Sequence, residues 1–315
     1  MKLGVALGWY THSWETLAEL VETAEALGYA AAFVDGDISM LGGSRKTDVL
    51  DGWTVTIALL ARTQRIQIGS MRLVHHWNAA RLAQAAATAE RISPGRLQFL
   101  ISIGDRPHDE RFGLQPPSAG ERVVWLDEML CAVRGLWRGE SVSMSGRFVV
   151  LDGARIQPPP PAGRIPISIA ARRPKLLELV AEHADTWEIN LPPLPDRVAE
   201  ASATLEDACR RRGRDPAEIE RSMWIFTRVI RPSEDPACAV DEYRRLNPWF
   251  GELSDDECAA AMVVGSAEHC RTRLASIADE LELGFPVIDL SGLDAASARL
   301  TLEGMAPQKP VDAHS

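Results

Sequence analysis

The sequence predicts a closed (β/α)₈ barrel, a TIM barrel, with insertions after the fourth and seventh β/α units. Two observations support this prediction. Short apolar runs typical of buried strands alternate with amphipathic stretches typical of helices, and eight such pairs follow one another along the 315 residues. Alternating strands and helices form a parallel sheet, and eight units in roughly 250 residues plus insertions fit this barrel. A doubly wound open sheet is the alternative.

Local signals justify the individual elements. Ser13 can cap a helix that runs to Leu27, and Gly28 can end it. The fourth strand is a continuous apolar run with one Ser, as expected for a strand buried on both faces. The predicted strands span residues 2–7, 30–34, 65–69, 97–103, 165–170, 185–190, 220–230 and 286–290. The predicted helices span residues 13–27, 49–62, 79–91, 120–137, 174–183, 196–212, 266–281 and 295–303.

The β/α rhythm breaks twice. Residues 141–157 alternate like a β-hairpin and are followed by the stiff proline run 158–161. Residues 232–262 form an irregular, partly helical stretch. We therefore predict a single domain over residues 1–307, with insertions at about 141–161 and 232–262, and a frayed tail over 308–315.

Composition narrows the class of protein. Lys and Arg total 34 against 44 Asp and Glu, a net charge of −10, and no basic run is present, which argues against a nucleic-acid partner. No apolar stretch reaches the length of about 18 residues that spans a membrane, and the N-terminus lacks the pattern of a signal peptide. The five cysteines are odd in number, widely spaced and without a CxxC pair. They indicate reduced thiols in a cytoplasmic protein and predict no metal site.

The barrel fold places the functional residues after the strand ends, because active sites of such barrels lie at the C-terminal face. The residues that we predict to lie there are Trp9, His12, Asp35, Asp37, Met71, Arg72, His75, His76, Trp77, Asp105, Ala170, Ala171, Arg172, Arg173 and Trp187. Aromatic, acidic and basic side chains thus converge on one rim. From residue types alone, the prediction is an enzyme that binds an anionic, aromatic ligand.

Several of these residues also have a purely structural interpretation. Asp35 and Asp37 can cap the following loop, and Asp105 can pair with a neighbouring arginine. Arg172 and Arg173 can form a solvated helix start, although free N–H groups and guanidinium donors at such a start suit a phosphate well.

Other chemistries have little support in the sequence. It contains no GxGxxG, Walker loop, GxSxG or HExxH motif. His75 and His76 with Asp35 or Asp37 offer possible metal ligands, but their spacing does not favour a metal.

Four segments resemble the luciferase-like monooxygenase superfamily, whose barrel enzymes use flavin or deazaflavin. These segments are 54–69, 78–103 with its SPGR motif, 121–190 and 263–290. They follow the family order and cover most of the chain. One difference is Ala79, which stands where the family signature has Pro.

The resemblance implies a cofactor whose ring lies in the barrel mouth and whose phosphate lies near the fifth strand. Carried over residue by residue, it assigns cofactor binding to Asp35, Met71, Arg72, Ala170, Ala171, Arg172, Arg173 and Trp187. It also implies a non-proline cis peptide at the end of the third strand, where Met71–Arg72 is the matching place.

The segment ARRPKLLELVAEHADTWEIN resembles the branch that uses the deazaflavin coenzyme F420, which we favour over FMN. Three departures from that branch stand out. Gly36-Asp37 replaces its Asp-His pair, and Leu100 and Ser102 replace two glycines of the fourth strand. Asp105 matches the Glu that serves as an acid in some sugar-phosphate dehydrogenases of the family.

The resemblance implies an F420-dependent oxidoreductase that transfers a hydride to or from a small organic substrate. Asp37, Asp105, His75 or His76 would then move the proton. The residues of the substrate pocket would be Trp9, His12 and Trp77. One alternative is an FMN-dependent monooxygenase supplied with reduced flavin by a partner reductase, and another is a non-catalytic barrel that has lost its cofactor. Members of this family often form homodimers, and the apolar faces of this chain are compatible with one.

Overall fold

Eight parallel strands close into a barrel in the computed structural model, which describes residues 2–8, 12–38, 49–104, 109–246 and 253–307, without the side chains of Asp109, Arg111 and Leu246. The described residues contain eleven strands, of which β5, β6 and β10 lie outside the barrel. They are β1 (Gly4–Ala6), β2 (Ala31–Val34), β3 (Gln67–Leu73), β4 (Leu97–Ser102), β5 (Val142–Ser145), β6 (Val150–Ala154), β7 (Ile167–Ala171), β8 (Thr186–Ile189), β9 (Glu220–Val229), β10 (Val263–Gly265) and β11 (Phe285–Asp289). The helices are α1 (Trp14–Leu27), α2 (Gly52–Arg62), α3 (Ala79–Ile92), α4 (Ala119–Trp137), α5 (Pro174–His183), α6 (Pro195–Arg212), α7 (Pro236–Leu246), α8 (Asp255–Ala261), α9 (Ala267–Glu280) and α10 (Ala295–Gly304).

The barrel strands are joined in the order β11-β1-β2-β3-β4-β7-β8-β9, and β9 pairs with both β8 and β11 to close the ring. All of these pairings are parallel. The register places Val5 of β1 opposite Ala32 on one side and Ile288 on the other. The predicted (β/α)₈ barrel is therefore confirmed.

The predicted cap residues set the helix boundaries. The Ser13 side chain accepts a hydrogen bond from the Thr16 N–H at the start of α1, and Gly28 ends that helix with φ +92°. Because Asp51 caps α2 by accepting from the Thr54 N–H, this helix starts at Gly52, three residues later than predicted.

Both insertions contain regular structure. After α4, β5 and β6 pair antiparallel as the predicted hairpin. After β9, the chain forms α7 and α8, and then β10, which pairs parallel with the C-terminal part of β9. The sequence predicts the helical character of this second insertion but not β10, because three residues are too few to show a periodic pattern.

The barrel encloses a small apolar core that is separate from the larger core between the strands and the helices. Successive side chains of a strand point to opposite faces, so alternate residues line the inside. The inward core consists of Ala6, Ala31, Phe33, Leu100, Ala170, Phe285 and Val287, with Met71 and Trp224 packed against it. Leu100, which replaces a family glycine, thus fills the barrel interior.

Two glycines permit close backbone contacts directly after β2. A Cβ atom on Gly36 would overlap the carbonyl oxygen of Met71, and a Cβ atom on Gly52 would overlap the carbonyl oxygen of Asp35. Residues 35 and 36 are therefore held between the end of β3 and the start of α2. Gly36, a departure from the family pattern, has a structural cause in this close approach.

The prediction of a cis peptide at Met71–Arg72 is wrong. The cis bond in the described residues is Gln157–Pro158. Met71 and Arg72 instead continue the regular parallel pairing with β4, opposite Leu100 and Ile101. A regular ladder of this kind requires trans peptides, since each residue must present its N–H and C=O in alternation to the neighbouring strands.

No helix within the described ranges is both long enough and apolar enough to span a lipid bilayer.

We predict that Gly36→Ala lowers the free energy of unfolding by about 2 kcal/mol or more, because the added methyl group forces a backbone shift. Gly120→Ala is the matched control, since a Cβ atom there meets nothing within 4 Å inside α4. The control should be neutral or stabilising by about 0.5–1 kcal/mol. Urea unfolding of the two variants measures both effects, and equal values for the two would contradict the assignment.

Candidate active site

Two carboxyl side chains point into the barrel at the C-terminal ends of its strands, and a third, that of Asp35, interacts electrostatically with one of them. Glu188 pairs in register with the inward Ala170, and Asp289 pairs with the inward Ala6, so both carboxyls lie on the inner face. Asp35 follows the inward Phe33 by two residues. We call Asp35, Glu188 and Asp289 the carboxyl cluster.

Burial and mutual repulsion raise the pKa values of the carboxyl cluster. Burial, with a further contribution from Asp289, raises the pKa of Glu188 from its ordinary value of 4.5 to about 8. Burial also raises the pKa of Asp289. The pKa of Asp35 is raised well above its usual range by burial and then by the charges of Asp37 and Asp289. Glu188 is therefore mainly neutral at pH 7 and can donate a proton.

Hydrogen bonds fix two members of the carboxyl cluster. The Tyr243 hydroxyl on α7 donates to Asp289 Oδ2 at 2.8 Å, and the Ser291 N–H donates to Asp289 Oδ1 at 2.9 Å. The Trp224 backbone N–H donates to Glu188 Oε1 at 3.1 Å. The second insertion thus supplies a residue to the barrel mouth.

The indole of Trp224 offers a free donor beside this cluster. Its ring packs on Phe33, with ring centroids 5.6 Å apart. Its Nε1 atom is buried and has no hydrogen-bond partner among the described residues. Since an unpaired buried donor is costly, a ligand acceptor at this position would be stabilised.

Met71 and Arg72 lie on opposite faces of β3. Met71 packs against the inward core, whereas Arg72 is 1% exposed on the outer face. The Arg72 guanidinium lies over the Trp53 ring, 4.5 Å from its centroid, and donates to the backbone and side-chain oxygens of Ser70. Burial lowers the pKa of Arg72 to about 9, and Asp51 opposes this shift.

The two histidines after β3 form one aromatic group. The rings of His75 and His76 meet edge to face at 4.4 Å. His75 is buried and lies against Gly104, where an added Cβ atom would approach its Cε1 atom to 2.9 Å. Trp77 meets Trp53 edge to face at 5.8 Å. The structure therefore joins Trp77 to the Trp53–Arg72 stack.

Arg172 and Arg173 stand exposed where β7 leads into α5. Neither side chain has a hydrogen bond or an ion pair within the described part of the chain, and Arg173, the N-cap residue, forms no side-chain cap. Ala170 and Ala171 just before them are small and buried. This arrangement can bind an anion through unpaired guanidinium groups.

The structure does not bring Trp187 to this rim. Trp187 is fully buried behind the sheet, and its Nε1 donates to the Ala171 carbonyl oxygen at 2.9 Å. The pleat explains this position: Glu188, the next residue, points inward, so Trp187 must point outward. Its indole is therefore a core group that packs near Arg221, 5.6 Å from the guanidinium carbon.

Of the remaining predicted residues, the structure describes His12 and Asp37 but not Trp9 and Asp105. His12 is 6% exposed, and burial, opposed by Asp294, lowers its pKa. Asp37 is half-buried and acts electrostatically on Asp35. Trp9 and Asp105 lie outside the described residues.

Four residues of this site have no assigned role in the sequence-based prediction. They are Glu188, Trp224, Tyr243 and Asp289. The sequence places Glu188 beside Trp187 at the end of the sixth predicted strand but assigns it no chemistry. Three of these four residues occupy inward positions of strands. The available sequence signal was strand alternation, because every second residue of a strand shares one face. This alternation groups Thr186 with Glu188, and Phe285 with Val287 and Asp289.

We predict that Glu188→Gln makes stability less dependent on pH. From the ordinary carboxyl value of 4.5 up to about 8, the folded protein holds a proton that the unfolded chain has lost. The wild-type protein therefore loses stability as pH rises through this window. Each pKa unit corresponds to about 1.4 kcal/mol, so the full effect is on the order of 5 kcal/mol.

The measurement is the free energy of unfolding by urea from about pH 5 to about pH 9, for the wild type and the variant. Glu200→Gln, on an exposed position of α6, is the matched control and should follow the wild type. Parallel curves for the wild type and Glu188→Gln would show that Glu188 does not hold this proton.

Comparisons with known proteins agree with this architecture. A curated relative, the F420-dependent glucose-6-phosphate dehydrogenase of Rhodococcus erythropolis (strain PR4 / NBRC 100887), is 31% identical over 199 residues, 59% of this chain and 56% of that enzyme. The chain spans about half the length of the curated relatives that it matches.

Two solved structures share the fold over nearly the whole chain. An F420-dependent secondary alcohol dehydrogenase in complex with an F420-acetone adduct has a TM-score of 0.82 and 18% identity, covering 96% of this chain and 98% of that chain. The monooxygenase RslO1 from Streptomyces bottropensis has a TM-score of 0.81 and 21% identity, covering 97% of this chain and 98% of that chain.

The family model of luciferase-like monooxygenases matches residues 1–281, which include every barrel strand except β11. The sequence segments, the closed barrel and this match agree, and the chain belongs to the luciferase-like monooxygenase family.

Proposed function

We propose that this protein is an oxidoreductase that binds coenzyme F420 at the barrel mouth for hydride transfer to or from a small organic substrate. The observation that carries the proposal is the pairing of two features at one end of the barrel. A cluster of buried carboxyls with raised pKa values lies inside the mouth, and two unpaired arginines stand on its rim. The relative named as an F420-dependent dehydrogenase supports the choice of cofactor.

The described residues fit such a cofactor. Arg172 and Arg173 would hold the anionic tail, next to the small, buried side chains of Ala170 and Ala171. The unpartnered indole N–H of Trp224 would donate to the bound ring. When bound, F420 supplies the hydride-transfer chemistry, and the protein supplies position and electrostatics.

Hydride transfer between an alcohol and a carbonyl requires a matching proton transfer, and Glu188 is suited to it. A catalytic acid works best when its pKa lies near the operating pH, and the pKa of Glu188 is about 8. The hydrogen bond from the Trp224 backbone N–H holds one carboxyl oxygen of Glu188 in place. Asp37, Asp105, His75 and His76 stay as predicted alternatives for this role.

The apolar interior below the carboxyl cluster would keep water from the reacting atoms. Phe33, Leu100 and Phe285 close the barrel under the mouth, each 3% exposed or less. Exclusion of water by this apolar interior strengthens the electrostatic interactions of charged groups next to it.

A second candidate is an FMN-dependent monooxygenase supplied with reduced flavin by a partner reductase. The observation that favours it is the same apolar barrel interior, since a pocket without water protects reactive oxygen species from side reactions. Oxygen consumption separates the two functions, because F420-linked hydride transfer consumes none.

The test is a titration of the protein with F420 and, separately, with FMN, followed by quenching of tryptophan fluorescence. Trp224 lies in the mouth, so its emission should fall when a cofactor binds. We expect F420 to bind more tightly than FMN. Tighter binding of FMN would favour the monooxygenase, and binding of neither would favour a barrel that has lost its cofactor.

We predict that Arg172→Ala combined with Arg173→Ala weakens F420 binding about 10- to 100-fold, because charge-assisted hydrogen bonds contribute about 1.5–3 kcal/mol. Arg155→Ala is the matched control, since Arg155 is exposed and lies beyond the hairpin strand β6. Equal affinities in the double variant and in the control would contradict phosphate binding at the start of α5.

A further inference from the structure

Away from the barrel mouth, three side chains with metal-ligating atoms meet between α4 and α5. They are Asp127, Cys131 and His183, and their ligand atoms all lie within 4.8 Å of one another. Asp127 and Cys131 are four residues apart, so they share one face of α4. His183 is the last residue of α5. The group lies towards the opposite end of the barrel from the mouth, because β8 begins three residues later.

The geometry of this group is partly fixed without a metal. The His183 side chain is 4% exposed, and its Nε2 lies 2.8 Å from Asp127 Oδ1. The Arg134 guanidinium donates to the His183 carbonyl oxygen at 2.8 Å and so ties the end of α5 to α4. Cys131 is an exposed, free thiol on the solvent side. The His183 ring is thus positioned from the core, while the half-exposed Asp127 carboxylate and the Cys131 thiol lie on the solvent side.

We propose that Asp127, Cys131 and His183 form a binding site for a thiophilic divalent cation, with Zn²⁺ as the best match. Zn²⁺ takes Cys sulfur, His nitrogen and carboxylate oxygen as ligands at about 2.0–2.3 Å in a tetrahedron. Ligand atoms of such a tetrahedron are separated by roughly 3–4 Å, so the observed spacing needs only a small contraction. Three protein ligands leave the fourth position for solvent.

The chemistry of the donor set selects among cations. A sulfur ligand disfavours Mg²⁺ and Ca²⁺, which prefer oxygen, and an imidazole with a thiolate favours Zn²⁺ and related metals. Binding releases the Cys131 proton and replaces the contact between His183 and Asp127 with two metal bonds. The cation would thereby join the middle of α4 to the end of α5.

The main rival interpretation is a reactive surface thiol. Burial, followed by the charges of Asp127 and Glu182, raises the pKa of the Cys131 thiol, which opposes a thiolate nucleophile and a thiolate ligand alike. A coordinated cation removes the thiol proton, whereas a bare surface thiol has no such partner. A plain hydrogen bond between the two helices accounts for His183 and Asp127 but gives the adjacent thiol no role.

Co²⁺ is the probe that tests this site, because a thiolate bound to Co²⁺ gives a charge-transfer absorption in the near ultraviolet. Titration of the untagged full-length protein should produce this band with one Co²⁺ per chain, and Zn²⁺ should abolish it by displacement. Zn²⁺ should also raise the melting temperature. Cys131→Ser should remove the band and weaken Zn²⁺ binding at least tenfold, whereas Cys238→Ser should behave as the wild type.

Cys238 is a fair control because it is the other exposed free thiol among the described cysteines and lies on α7. Asp127→Asn supplies a second variant that keeps the thiol, and it should weaken Zn²⁺ binding while retaining a sulfur band at higher Co²⁺ concentration. A wild-type protein without the band, or a band that survives Cys131→Ser, would overturn the proposal. Neither outcome depends on the function of the barrel mouth.

Discussion

Closure of the parallel barrel is the constraint on which the rest of the structure depends. Once β9 pairs with both β8 and β11, every second side chain of each strand is enclosed. The interior is filled by apolar residues such as Phe33 and Leu100, so an inward carboxyl cannot keep its charge at low cost. Glu188 and Asp289 stand at such positions. Their raised pKa values are therefore a consequence of the fold and not of a local sequence motif.

Barrel closure also separates two kinds of side chain at the mouth, buried carboxyls and exposed guanidinium groups. Carboxyl groups lie inside, where burial raises their pKa values, while the exposed guanidinium groups of Arg172 and Arg173 lie on the rim. The second insertion reaches the interior group, because the Tyr243 hydroxyl on α7 donates to Asp289. An oxidoreductase site needs both kinds of group, one to move a proton and one to hold an anionic cofactor.

The sequence predicts the fold more fully than the site. Strands, helices and caps depend on neighbouring residues, so Ser13, Gly28 and the hairpin β5–β6 could be recognised locally. The contact between Tyr243 and Asp289 joins residues 46 positions apart and arises only after the barrel closes. Trp187 was expected at the rim because it ends a strand, but the pleat turns it into the core. Sequence position thus identified the residues near the strand ends, whereas strand parity decides which side chains face the barrel interior.

The protonation state of Glu188 is the central claim, and infrared difference spectroscopy tests it most directly. A protonated carboxylic acid has a carbonyl stretch well separated from the bands of carboxylates and of the backbone. The difference between the wild type and Glu188→Gln at neutral pH should contain this band, and the band should fade as pH rises through about 8. A difference spectrum that shows only carboxylate bands at neutral pH would mean that Glu188 is ionised, and the proposed proton transfer would lose its basis.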